Sequence, residues 1–205
     1  ILSRTHLSRT MTELSMSFWS GPLLVLWLYL PGYLANTAAM FGGKWLPDLL
    51  DIEPRPIDGG RRLSDGHRIL GDGKTWNGLL GALIGGGLLC MFTHGVGGDN
   101  IVENGVFLDP LIWAGPGDWF WIGGEWGAAF IVGVCLGLGC MIGDCAGSFI
   151  KRRMGKKREG SESSQAPLLD TLPFAFCTFA IGMLLFSNTL VGSSDLIEAM
   201  FALLI

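Results

Sequence analysis

Two short polar stretches carry the residue types that phosphate and metal chemistry uses. The first is Asp65-Gly-His-Arg-Ile-Leu-Gly-Asp-Gly-Lys-Thr-Trp-Asn-Gly78, which runs straight into an apolar segment. A glycine-rich turn feeding a helix N-terminus exposes backbone N–H groups and a positive dipole end. Arg68 and Lys74 add charge, so a phosphate is the natural guest, with Asp72, Gly73 and Thr75 beside it. Lys74-Thr75 after Gly73 invites a G-x-x-x-x-G-K-[ST] reading. That reading fails, because position 68 would have to be Gly and is Arg68, and no strand precedes it. A solvated loop of mixed charge is the plainer alternative.

The second stretch is Gly143-Asp-Cys-Ala-Gly-Ser-Phe-Ile-Lys-Arg-Arg153. On a continuous helix Asp144, Ser148, Lys151 and Arg152 fall at i, i+4, i+7 and i+8, which is one face. A carboxylate, a hydroxyl and two cations in that order suit Mg²⁺ with phosphates, since Mg²⁺ uses one or two carboxylates and completes its shell with water and phosphate oxygens. Snorkelling side chains at a helix end account for Arg153, Lys156, Lys157 and Arg158, but not for Asp144 and Ser148. Asp170 is either an acidic helix cap beside Thr171 or a second metal carboxylate facing Asp144. Asn36 is either a cap or a polar group at the site. Together the stretches describe a site for a polyphosphate and Mg²⁺ at a membrane surface, with one substrate a nucleotide and the other arriving through the bilayer.

The elements that must position these residues are apolar. Ser17–Ala35, Asn77–Thr93, Trp126–Gly143 and Thr171–Val191 are long and free of charge, the length that a hydrocarbon core of about 30 Å requires. A fifth run starts at Ser193 and stops with the chain at Ile205; it reaches only about 20 Å. The chain also begins without Met, so both ends are expected to be incomplete. Gly81/Gly85, Gly133/Gly137 and Gly139/Gly143/Gly147 repeat a small-xxx-small spacing that lets membrane helices approach closely.

Composition agrees. Of 205 residues 49% are hydrophobic and 16% charged, mean hydropathy is +0.45, and Gly reaches 32 without a collagen period. Disorder is excluded, and a net charge of −4 argues against nucleic acid as a partner. Cys90, Cys135, Cys140, Cys145 and Cys177 form no CxxC and read as buried free thiols rather than a zinc site.

Charge placement sets the orientation. Lys44, Arg55, Arg61, Arg62, Arg68 and Lys74 occupy one loop and its approach, and Lys151, Arg152, Arg153, Lys156, Lys157 and Arg158 another. The positive-inside rule puts both on the cytoplasmic side. His94–Glu125 between them has no Lys or Arg, and holds Trp113, Trp119, Phe120 and Trp121, with Trp126 just beyond; such rings belong at headgroup level. A cleaved signal peptide over Ile1–Ala39 would reverse the first loop and is disfavoured by this pattern. The fold expected is all-α: a polytopic integral membrane protein of about five transmembrane helices, the last truncated, with two cytoplasmic basic loops and a single domain over 1–205.

These segments resemble the CDP-archaeol synthase family, the archaeal CTP:2,3-di-O-geranylgeranylglycerol-1-phosphate cytidylyltransferases. The matching pieces are Pro31-Gly-Tyr-Leu-Ala-Asn36, Asp65…Arg68-Ile-Leu-Gly-Asp-Gly-Lys-Thr75…Gly78, Gly143-Asp144…Ser148-Phe-Ile-Lys-Arg-Arg153 and Pro167-Leu-Leu-Asp170…Leu172-Pro-Phe174. They run in order through most of Pro31–Phe174. A more distant likeness joins Lys74-Thr75…Gly78 and Gly143-Asp144…Ser148…Lys151-Arg152 to bacterial phosphatidate cytidylyltransferases. The chain departs from that pattern at Lys157-Arg158-Glu159 and at Asp170-Thr-Leu-Pro.

The resemblance implies a reaction: CTP and an isoprenoid glycerol-ether lipid phosphate give CDP-archaeol and pyrophosphate, with Mg²⁺, in the cell membrane, at an active site facing the cytoplasm. The implied roles are Asp144 and Asp170 on Mg²⁺; Lys74, Lys151 and Arg152 neutralising phosphates; Arg68, Asp72, Gly73, Thr75 and Ser148 orienting nucleotide or metal-bound water. Asp144, Lys151 and Lys74 are the expected catalytic set. The attacking phosphate is already ionised near pH 7, so no strong general base is needed, and His67 is left out. Two other classes fit less well. CDP-alcohol phosphotransferases carry DGxxAR…GxxxDxxxD, whereas Asp144 is followed by Cys-Ala-Gly-Ser. Transporters place ionisable groups near mid-membrane, whereas the apolar spans here are charge-free.

Overall fold

Small residues let the apolar segments meet at backbone distance, and these meetings set the architecture. A computed structural model describes residues 20–98, 106–155 and 167–204. Its elements are α1 (Ser20–Leu28), α2 (Leu30–Met40), a π-helical turn (Phe41–Trp45), α3 (Leu46–Leu50), α4 (Trp76–Gly97), α5 (Gly124–Arg153), α6 (Pro167–Leu185), a 3-10 turn (Ser194–Leu196) and α7 (Ile197–Leu204). No strand occurs among the described residues, only isolated bridges between Pro56 and Thr75 and between Arg62 and Arg68.

Helix α5 is the centre, packed against α4, α6 and α2. A Cβ built on Gly133 would lie 2.2 Å from the Gly86 carbonyl oxygen of α4, and one on Gly143 2.2 Å from that of Pro173 in α6. Two of the expected small-xxx-small sites are therefore helix contacts that a methyl group would force apart. On α4, Ala82, Gly86, Cys90 and Thr93 turn inward and are buried, while Leu80, Ile84, Leu88 and Phe92 are exposed at every fourth position. That outer stripe is the face a bilayer would cover. All five cysteines are free; Cys90 and Cys140 are buried and the other three half-buried.

Several boundaries differ from the sequence expectation. The first apolar stretch does not form one straight helix ending near Ala35. It breaks at Tyr29, bends by 46° and runs on to Leu50. Pro31 lacks an N–H and leaves the Trp27 carbonyl without its helical donor, while the Tyr29 hydroxyl leaves the helix to donate to the Val191 carbonyl at 2.7 Å. The fourth helix stops at Leu185, six residues before Val191. Beyond it Thr189 N–H and Oγ both turn back to the Phe186 carbonyl, and Leu190 N–H pairs with Ile112. Hence, among the described residues, two helices, α4 and α5, are long and apolar enough to cross a membrane, three if the bent α1–α3 unit is one span, with Thr171–Leu185 shorter. This compares with about five expected from apolar run lengths.

The Trp-rich segment is also more than a row of interfacial rings. Trp119 and Trp126 are exposed, as headgroup-level rings would be, but Phe120 is buried edge-on against Phe186 at 5.0 Å. Trp27 Nε1 donates to the Leu108 carbonyl and His94 Nδ1 pairs with Asp109, each at 2.9 Å. These contacts close the end of the bundle opposite the polar stretches.

Candidate functional site

The polar stretches meet at the other end. Thr75 caps α4: its backbone is extended and its hydroxyl accepts the Gly78 N–H at 3.1 Å, an arrangement that satisfies one orphan donor and stabilises a helix by about 1 kcal/mol. The π-helical turn lies against this cap. A Cβ on Gly43 would be 3.0 Å from the Thr75 hydroxyl oxygen, and one on Gly42 2.9 Å from the Asn77 carbonyl oxygen. Its wider turn, a form frequent at functional sites, brings two glycines onto the start of α4.

Helix α5 continues unbroken through Asp144, Ser148, Lys151 and Arg152 to Arg153, as their one-face spacing requires. Lys74 forms an ion pair with Asp144, both side chains mostly buried. Arg152 Nε donates to the Leu70 carbonyl at 3.4 Å. Arg153 donates to Asp65 and to the Arg68 carbonyl, each at 2.6 Å. Ser148 is buried, and Lys151 is half-buried one turn further on. The expected residues Lys74, Thr75, Asp144, Ser148 and Arg152 therefore sit at one junction between the 51–75 segment and α5.

Arg68 and Asp72 are placed differently from a pair of free phosphate ligands. Arg68 Nη1 bonds Asp72 and Nη2 bonds Asp58, both at 2.7 Å, and the hydrogen bond to Asp58 leads the causes that raise the guanidinium's pKa. Arg68 still forms part of a cleft of about 540 Å³ lined by Arg55, Pro56, Gly59, Gly60, Arg68, Asp72 and Trp76. Gly73 adjoins this cleft in sequence. Asp170 is carried in the first turn of α6; its side chain, like Lys156, Lys157 and Arg158, lies outside the described residues. His67 is exposed and offers its carbonyl to Leu63 N–H.

Sequence reasoning missed Asp58. Its side chain is 1% exposed and its carboxylate accepts from Arg68 and from the N–H groups of Gly60, Leu70 and Gly71. Burial pushes this carboxyl up, but the hydrogen bonds outweigh it and hold the group well below the usual carboxylate range. Asp58-Gly59-Gly60 reads as an ordinary turn, and only a run of N–H donors ten to thirteen residues away makes it more.

Asp144 offers a hard carboxylate oxygen of the kind Mg²⁺ takes, an ion that uses one or two protein carboxylates and completes its shell with water and phosphate oxygens. Cations stand around it: Lys74 on Asp144, and Arg152 eight residues along the same helix.

A family model described as CarS-like, CDP-archaeol synthase, matches residues 21–114 and 120–204. The chain is 34% identical over 165 residues to the CDP-archaeol synthase of Methanopyrus kandleri, covering 80% of this chain and 72% of that one. It is 36% identical over 149 residues to that of Thermococcus gammatolerans, covering 72% and 66%. It is 39% identical over 153 residues to that of Methanosarcina acetivorans, covering 71% and 69%. Among solved structures it is similar to an intramembrane enzyme for archaeal membrane lipids biosynthesis, with TM-score 0.56, 28% identity and 87% of each chain covered.

Proposed function

Since the chain belongs to the CDP-archaeol synthase family, a family of CTP-dependent cytidylyltransferases of membrane lipid synthesis, we propose that it transfers CMP from CTP to an unsaturated isoprenoid glycerol-ether lipid phosphate at the Lys74–Asp144 junction. The observation that carries this reading is that ion pair, which brings the two phosphate-and-metal stretches of the sequence into one site.

In the reaction an oxygen of the lipid phosphomonoester forms a bond to the α-phosphorus of CTP, and the bond from that phosphorus to the bridging oxygen of the β-phosphate breaks. The electron pair leaves on pyrophosphate. Both partners are multiply anionic, so catalysis is positioning and charge neutralisation. Lys74, Lys151 and Arg152 bind and neutralise triphosphate and lipid phosphate. Ser148 and Asp72 orient nucleotide or water. Thr75, whose oxygen accepts from Gly78, keeps its own proton to donate to a phosphate oxygen. Asp144 and Asp170 are the residues that would hold Mg²⁺, which when bound supplies Lewis-acid stabilisation of the phosphate charge. No residue has to abstract a proton, because the nucleophile enters ionised.

The same reading makes the chain a single multi-pass membrane domain, crossing the bilayer with α4, α5 and the bent α1–α3 unit. It places the Lys/Arg-rich segments around Lys44–Lys74 and Lys151–Arg158 in the cytoplasm, where CTP is available, and leaves the small-residue helices to receive isoprenoid chains from the bilayer.

The test uses detergent-purified protein with Mg²⁺, digeranylgeranylglyceryl phosphate and each of the four nucleoside triphosphates in turn. CTP-dependent release of pyrophosphate with a nucleotide-lipid product, abolished by EDTA, is the expected result. Folded protein that forms no product with any triphosphate overturns the reading.

A further inference from the structure

The 51–75 segment has no sheet and little apolar core of its own, yet it delivers Lys74 to Asp144. Within it, one buried carboxylate, that of Asp58, gathers hydrogen bonds from four residues. We propose that Asp58 is a positioning residue of the nucleotide site: by gathering Arg68 and the N–H groups of Gly60, Leu70 and Gly71 it fixes the segment from which Lys74 reaches Asp144. The inference rests on the functional reading above and deepens it.

The geometry is a closed set of links. Asp58 Oδ1 accepts from Arg68 Nη2 at 2.7 Å and Gly60 N–H at 3.0 Å. Oδ2 accepts from Arg68 Nε at 3.2 Å and from the N–H groups of Leu70 and Gly71 at 3.0 Å each. Both oxygens are therefore engaged from three directions. The residue beside Asp58 then clamps Lys74 directly: Ile57 N–H donates to the Lys74 carbonyl at 2.8 Å, and Lys74 N–H donates to the Gly71 carbonyl at 3.3 Å. The Leu70-Gly71 pair, held by Asp58 through its N–H groups, is held from the other side by Arg152 on the Leu70 carbonyl. Gly71 itself sits at φ +99° under the Arg152 guanidinium, a backbone that an L side chain would strain.

Asp58 does not line the cleft that contains Arg55, Arg68, Asp72 and Trp76; it lies behind it and acts through Arg68 and Lys74. A neutral amide cannot replace it. Every group around the carboxylate is a donor, and an amide offers one acceptor oxygen and turns an NH₂ toward donors. The Arg68 charge would also lose its buried counter-ion.

The experiment compares wild-type protein with Asp58→Asn, Arg68→Met and the double variant, in detergent with CTP and the lipid phosphate. Asp58→Asn is expected to raise KM for CTP at least tenfold while KM for the lipid phosphate stays within twofold, and the double variant to be no worse than the poorer single one. A folded Asp58→Asn variant with unchanged KM for CTP overturns the proposal. So does one in which both KM values and the melting temperature move together, the signature of a merely structural loss. Should Asp58→Asn not fold, Asp58→Glu keeps the charge but misplaces it by one methylene; a wild-type KM for CTP there overturns the proposal equally. Equilibrium binding of labelled CTP reads the same shift without turnover, so wild-type protein that binds CTP and makes no nucleotide-lipid sinks the functional reading and leaves Asp58 to be judged on affinity.

Discussion

Lys74 and Asp144 stand 70 positions apart and close an ion pair where the start of α4 meets α5. Each is mostly buried, so each depends on the other for charge compensation. Removing one partner leaves a poorly solvated charge, at a cost of about 2 kcal/mol for a charged hydrogen bond lost with its partner in place. Lys74→Met and Asp144→Asn are each expected to lower the thermal midpoint in detergent, and Lys74→Met/Asp144→Asn to lose less than the sum of the two, as neighbours do. Turnover is expected to fall by two orders of magnitude or more in all three. Exchanging the residues, Lys74→Asp with Asp144→Lys, is expected to recover stability without turnover, because the carboxylate and the ammonium serve different partners during the reaction. Wild-type-like turnover in Asp144→Asn would remove Asp144 from the site.

Arg153 fastens the loop to the bundle. Its two terminal nitrogens donate to Asp65 and to the Arg68 carbonyl at 2.6 Å, and its guanidinium lies 5.0 Å over the Phe149 ring. Lysine cannot span two acceptors in fixed directions. Arg153→Lys and Arg153→Ala are expected to speed tryptic cleavage after Arg61 and Arg62 by about fivefold or more in folded protein, read by mass spectrometry. Cleavage at the wild-type rate would mean that the loop is held without this side chain.

Much of the site is legible in the sequence because its chemistry is local. The glycine-rich stretch before Trp76 reads as a turn feeding a helix N-terminus, and the spacing of Asp144, Ser148, Lys151 and Arg152 reads as one face of a helix that does continue to Arg153. The glycine spacings on α4 and α5 forecast close contacts for the same reason. What the sequence hides depends on distant partners. Nothing local says that Tyr29 will donate to Val191, that the helix begun at Leu30 will run through a π turn to Leu50, or that residues after Leu185 will fold back onto Ile112. Asp58 is hidden twice over, by sitting in an ordinary Asp-Gly-Gly turn and by having partners at 68, 70 and 71 that no periodicity announces.

The protonation of Asp58 gives a pH signature with a definite sign. Its folded-state pKa is held down by the N–H donors and Arg68 despite burial, so its contribution is fully present above the unfolded carboxyl value of about 3.9. It is lost as pH falls below that value toward the depressed folded pKa. Loop order is therefore expected to be constant from pH 5 to 8. The thermal midpoint of wild-type protein, followed by tryptophan fluorescence, is expected to fall more steeply below about pH 4 than that of Asp58→Asn. Parallel acid limbs for the two proteins would show that Asp58 is not the group being titrated.

Gly143 ties helix packing to the position of Asp144. A methyl group there would meet the Pro173 carbonyl oxygen at 2.2 Å and the Phe174 Cα at 2.4 Å, and backbone on the facing helix cannot swing aside as a flexible side chain can. Overpacking of this kind costs about 1–3 kcal/mol, and it pushes α5 from α6 one residue before the carboxylate that pairs with Lys74. Gly143→Ala is expected to lower the thermal midpoint by several degrees and turnover by at least tenfold. Gly117→Ala, where a Cβ meets no atom within 4 Å, is expected to leave both near wild type. If Gly143→Ala loses stability but keeps full turnover, Asp144 tolerates displacement, and the close approach of α5 to α6 serves the fold alone.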